Sequence, residues 1–85
     1  MGMNSSLESI KYPQYRRYKN GLSYFKILSP VLFEEIKVVG SKRFIYSIEA
    51  KQYPEKVFVN DLLLNYTLFA DEVTEAVYEE QRHLN

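Results

Sequence analysis

Two alternating apolar runs, on either side of Gly40-Ser41-Lys42, constrain this chain more than any other stretch. A period of two suits a strand with one buried face. On the descending run, Phe44, Tyr46, Ile48 and Ala50 share one face, while Arg43, Ser47, Glu49 and Lys51 share the other with Ile45. On the ascending run, Leu32, Ile36 and Val38 have a common parity, and pairing Val38 with Phe44 brings both apolar sets to one side. A slip of one residue would turn one set toward water, so the pattern predicts the register, through either a three-residue or a five-residue loop. A rival reading makes Ser29 the N-cap of a helix with Pro30 at its first position and a Leu32, Ile36, Val39 stripe. The β-branched Ile36, Val38 and Val39 favour the strand. Phe44, Tyr46, Ile48, Ile36 and Val38 are therefore expected in the core.

Upstream, Asn20-Gly21 separates Arg16-Arg17-Tyr18-Lys19 from Leu22-Ser23-Tyr24-Phe25-Lys26-Ile27. Asn-Gly accepts the positive φ angles of a type I′ turn, which predicts a two-residue hairpin with Lys19 facing Leu22 and Arg17 facing Tyr24. Tyr18, Phe25 and Ile27 then share one face with Arg16 and Ser23, which reads as core. Tyr15, Arg17, Lys19, Tyr24 and Lys26 gather on the other with Leu22 and Leu28.

Beyond a turn at Gln52-Tyr53-Pro54-Glu55, Lys56-Val57-Phe58-Val59 has strand composition, and Asn60 or Asp61 could cap a helical turn through Leu62, Leu63 and Leu64. From Asp71 onward, Val73, Ala76, Val77 and Leu84 repeat at helical spacing, with Asp71, Glu72 and Glu75 suited to the positive end of a helix dipole. The reading is an α+β domain: an antiparallel β-meander of four to five strands with a C-terminal helix packed on one face. The strands are expected near 15–20, 22–28, 32–39, 43–51 and 56–60, and the helix near 71–84. Residues 1–10 read as a flexible N-terminal tail, with Ser5 and Glu8 at capping-box spacing, and residues 11–85 as a single small domain.

Eighty-five residues suffice for one modest core. The absence of cysteine excludes disulfides and thiolate chemistry, and His83 is the sole histidine, so no cofactor and no metal are expected. No run approaches the roughly 18 apolar residues of a membrane span, and no secretory signal is visible, so a cytoplasmic protein without membrane contact is expected. Net charge is zero but segregated. Residues 11–56 hold ten Lys and Arg against four Glu, giving +6, and residues 57–85 hold Arg82 against six acids, giving −5, with Glu8 closing the balance.

Tyr15, Arg17, Lys19, Tyr24 and Lys26 are the candidate binding residues. Single-stranded nucleic acid needs cations along its phosphates and aromatic faces under its bases, and this face offers both. An ordinary solvated sheet surface, with Arg and Lys stems covering half-exposed tyrosines, is the preferred reading of the same residues. Glu34 has the parity of the expected core, where desolvation would raise its pKa, but no second acid or base accompanies it. Glu35 and Glu49 are expected to pair with Lys37 or Lys51, and His83 with Glu79 one helical turn back. No catalytic set emerges. The functional expectation is a small non-catalytic binding module, with single-stranded nucleic acid as one candidate partner and self-association or another protein partner as the alternative.

Overall fold

The Asn20-Gly21 hairpin forms in the computed structural model, which describes residues 9–84. It joins β1 (Gln14–Tyr18) to β2 (Ser23–Ser29) with Arg17 opposite Tyr24, in the expected register. The turn is not type I′. Among the described residues only glycines take positive φ, so Gly21 alone does so here, at +74°. Asn20 contributes through its side chain, whose Oδ1 accepts from the Leu22 N–H at 2.8 Å.

The second stretch is a strand pair, as expected: β3 (Leu32–Val39) runs antiparallel to β4 (Lys42–Glu49). Its register differs by one residue. Lys37, not Val38, faces Phe44, and the loop is the two-residue Gly40-Ser41, with Gly40 at φ +62°. Tight two-residue loops with positive φ match the twist of the flanking strands. The slip carries little burial penalty, because β4 ends the sheet and its apolar residues stay partly exposed on both faces. Ile36 and Val38 lie on one face with Ile45, whereas Phe33 lies on the other with Phe44, Tyr46 and Ile48.

Strand order is β4-β3-β2-β1 followed by β5 (Ala70–Glu72), which adds antiparallel to the outer side of β1. The fifth strand expected at 56–60 is instead the middle of helix α1 (Tyr53–Leu64). Pro54 occupies the first turn, and the Glu55 carboxylate accepts from the backbone N–H groups of Lys51 and Gln52, at 3.0 and 3.1 Å. That arrangement suits a helix start. Val59, Leu62 and Leu63 then fall on one helical face and are buried. The C-terminal helix starts later than expected. Residues 70–72 are strand, and α2 (Glu75–His83) is capped by Thr74, whose Oγ1 accepts from the Val77 N–H at 3.2 Å. Its buried residue is Tyr78 rather than the Val73, Ala76, Val77 and Leu84 stripe.

Helix α1 covers the face carrying Phe25, Ile27 and Phe33, where Val59, Leu62, Leu63 and Ala50 complete the larger core. Phe25 contacts Tyr18, Phe33 and Phe58 with ring centroids 4.9, 6.2 and 5.6 Å away, in tilted or edge-on geometries. Ile10 packs against this core, so the domain begins before residue 11, whereas the Ser5–Glu8 spacing lies outside the described residues. Helix α2 covers the opposite face, burying Tyr78 against Tyr24 and Ile36.

The burial expectation is met in part. Ile36 is fully buried and Ile48 and Val38 are half-buried, but Phe44 and Tyr46 are 43% and 47% exposed. The reason is topological: β4 is a terminal strand of the sheet. Ile36→Ala is accordingly expected to cost about 2–5 kcal/mol. Phe44→Ala should cost less than about 1 kcal/mol. Urea unfolding at dilute protein checks both, and equal losses would contradict this core assignment.

Candidate functional site

The five residues singled out from the sequence do share a face, since Tyr15 opposes Lys26 and Arg17 opposes Tyr24 across β1 and β2. Lys19 extends the set from the turn. The structure lays helix α2 over this face. The Tyr15 ring lies 5.4 Å from that of Tyr78, and Tyr24 is 8% exposed. Arg17 Nη2 and Lys19 Nζ both donate to the Asp71 carboxylate of β5, at 3.4 and 2.9 Å. Lys26 stands opposite Glu34 on β3. The basic segment therefore meets the acidic segment of its own chain, and both tyrosine rings line the joint between sheet and helix.

Glu34 belongs to the same joint. Its Oε1 accepts from the Tyr78 hydroxyl at 2.8 Å and from Arg82 Nε at 3.0 Å, so its partner is an arginine of α2. Burial pushes its carboxyl up, as expected from the sequence. The hydrogen bonds from Arg82 and Tyr78 outweigh that push, with help from the charges of Arg82 and Lys26, and hold it below the usual carboxylate range. The phenol of Tyr78 is pushed above its ordinary value by burial and by the Glu34 carboxylate. This geometry clamps a helix to a sheet. Of the remaining pairs, Glu49 meets Lys51 at 3.9 Å and His83 meets Glu79 at 3.6 Å, as the spacing predicts, whereas Glu35 accepts from the Ser23 hydroxyl at 2.9 Å.

One surface left open is the edge of β4, which the sequence reading passed over. Phe44, Ile45 and Tyr46 are consecutive and each 42–47% exposed, so apolar side chains flank the edge on both sheet faces. The backbone there is unpaired. Val39 and Lys42 close a two-residue loop, which makes them a hydrogen-bonded pair. Even-numbered β4 residues thus direct their N–H and C=O groups at β3, and the Ala50 N–H continues that pattern by donating to Val31 O at 2.7 Å. Arg43, Ile45, Ser47 and Glu49 direct theirs outward. Ile45 was the available signal, an apolar residue among Arg43, Ser47 and Glu49, but one strand's pattern does not reveal which strand will end a sheet.

Two grooves lie away from this edge, and no β4 residue lines either. One of about 490 Å³ lies between α1 and the β2–β3 turn, lined by Pro30, Val31, Tyr53, Lys56 and Val57 among others. A shallower one of about 420 Å³ is lined by Tyr18, Asn20, Phe58, Asp61 and Phe69. Neither gathers a nucleophile with a base, and among the described residues no three His, Cys, Asp or Glu side chains converge as metal ligands. No helix among the described residues is long and apolar enough to cross a membrane.

The Glu34 clamp sets an acid limit on stability. A carboxyl whose pKa is depressed in the folded state stabilises the fold above its unfolded value, about 4.3, and that contribution is lost as pH falls toward the folded value. Melting temperature should therefore drop below about pH 4.3, with a shallower drop in Glu34→Gln. Asp71 and Glu55, also held low, keep part of the limb in that variant. Identical acid limbs in the two proteins would contradict the clamp. Comparison of the chain with protein families, curated proteins and solved structures found no match, so the functional reading rests on this geometry.

Proposed function

We propose that this chain is a non-catalytic protein-binding module that takes an extended strand of its partner onto the open edge of β4. The observation that carries the reading is the edge itself: eight residues without proline or bulge, with exposed Phe44, Ile45 and Tyr46 between charged ends. Sheet edges are ordinarily blunted by shortness, proline, bulges or charges. Strand β4 carries charges only towards its ends, at Lys42, Arg43 and Glu49, and its middle from Phe44 to Ile48 is unblunted and can template a further strand. The opposite edge is only three residues long, so it offers no comparable ladder. In strand addition, main-chain hydrogen bonds supply affinity and alternate side chains supply selectivity.

Two contrasts support this reading over its rivals. Catalysis needs a converging acid, base or nucleophile, whereas Glu34 is committed to Tyr78 and Arg82 and the exposed His83 to Glu79. Base stacking needs open ring faces, whereas Tyr15 and Tyr24 pack against Tyr78. A reducing, cytoplasmic setting accords with the cysteine-free composition.

A phage-displayed library of random octapeptides tests strand addition. The immobilised protein, kept sparse, should enrich peptides that alternate apolar and polar residues. Ser47→Pro removes one outward N–H and leaves the ladder to β3 intact, so it should weaken capture about tenfold with little change in melting temperature. Equal retention by the variant, or no enrichment, would sink the reading. A salt-sensitive oligonucleotide shift lost on replacing Arg17 and Lys19 by Ser would favour nucleic acid instead.

A further inference from the structure

We infer that the strand added to β4 is β4 of a second copy, antiparallel about a two-fold axis through Tyr46, joining two five-stranded sheets into one of ten. This rests on the reading of the β4 edge as the binding surface, and it names the partner.

Geometry narrows the choice. A two-fold axis normal to the sheet keeps corresponding faces on the same side, so facing residues must have numbers of equal parity. Two central registers satisfy that condition. One is centred on Ile45 and sets Arg43 opposite Ser47 of the second copy and Lys42 opposite its Ile48. The other is centred on Tyr46 and sets Arg43 opposite Glu49 of the second copy, Ile45 opposite its Ser47 and Phe44 opposite its Ile48. The second register is the complementary one.

Arg43 donates from Nε to Gln81 Oε1 at 2.9 Å, and Glu49 meets Lys51 only at 3.9 Å on an exposed surface. In that second register the Arg43 Nη groups can therefore reach Glu49 of the second copy at each end, and the charges along β4, basic at its start and acidic at its end, match their own reverse. One face carries an unbroken apolar row, Phe44 and Ile48 flanking the two Tyr46 rings. Cross-strand aromatic, apolar and opposite-charge pairs of these kinds stabilise antiparallel ladders. The backbone agrees, since Arg43, Ile45, Ser47 and Glu49 point their free N–H and C=O groups outward and would all fall in hydrogen-bonded pairs. Tyr46, which points its groups at β3, falls in the open pair at the axis. A strand of alternating pattern with inverted end charges is what this edge selects, and β4 is such a strand.

The chain contains no cysteine, which makes disulfide trapping unambiguous. Facing residues of a non-hydrogen-bonded pair have Cα atoms about 4.5 Å apart, within disulfide range. Mild oxidation of Tyr46→Cys should give a covalent dimer, and Ile45→Cys should cross-link at least about tenfold more slowly because it faces Ser47 of the second copy. Sedimentation equilibrium of the unmodified protein should show a concentration-dependent monomer–dimer mass. Glu49→Arg should raise the dissociation constant about tenfold, and adding Arg43→Glu should restore it to within about threefold. Melting temperatures of each variant at dilute protein separate lost pairing from lost folding. Preferential cross-linking through Ile45→Cys would overturn the register. A monomeric mass at every concentration would overturn the second copy as partner, and octapeptide capture lost in Ser47→Pro would then still uphold the edge as the binding surface.

Discussion

Arg16 is the interaction on which the assembly of the layers depends. It is 3% exposed, on the core face of β1, and its Nε donates to the carbonyl of Leu62 at 2.8 Å. That carbonyl lies in the last turn of α1, where helix geometry leaves it without an internal partner, and the turn contains no basic residue of its own. Nη1 donates to Tyr15 O and Gln14 Oε1, at 2.8 and 3.2 Å, and the guanidinium sits 4.0 Å over the Tyr66 ring. Glu72 of β5 lies 3.9 Å away. A buried guanidinium is tolerated only where its donors are partnered, so sheet, helix end and the segment leading to β5 must arrive together.

That convergence decides what happens on the far side of the sheet. By pairing with β1, β5 returns the chain to the sheet and delivers α2 to the face opposite α1. Tyr78 and Arg82 then reach Glu34, and Asp71 reaches Arg17 and Lys19. Part of the charge segregation along the chain is thereby satisfied inside the molecule, where Arg16, Arg17 and Lys19 meet Glu72 and Asp71. What two helices cannot cover is the last strand, and the apolar residues there are left for a partner.

The hairpin of β1 and β2 was legible because Asn20-Gly21 marks the reversal locally and the face of Tyr18, Phe25 and Ile27 is plainly apolar. The helix at 53–64 was not, because Val57, Phe58 and Val59 have strand propensity and only the Pro54 and Glu55 start signals argue otherwise. Tertiary burial of Val59, Leu62 and Leu63 overrides that propensity. The register of β3 and β4 was misread for a related reason. Parity presumes one buried and one wet face, and a terminal strand exposed to a similar degree on both faces removes the penalty that makes parity decisive.

The sequence by itself determined an α+β chain with four consecutive antiparallel strands, a C-terminal helix and a basic-aromatic face on the first hairpin, because alternation, turn residues and helical spacing are local properties. Tertiary structure alone decided that this face is covered, that β5 extends the sheet beyond β1, and that β4 is left as the long open edge. Those outcomes depend on which elements compete for the same surface. Burial on each face, the ligands of Arg16 and the reach of α2 settle that competition among residues distant in the chain, where no short-range pattern can record it.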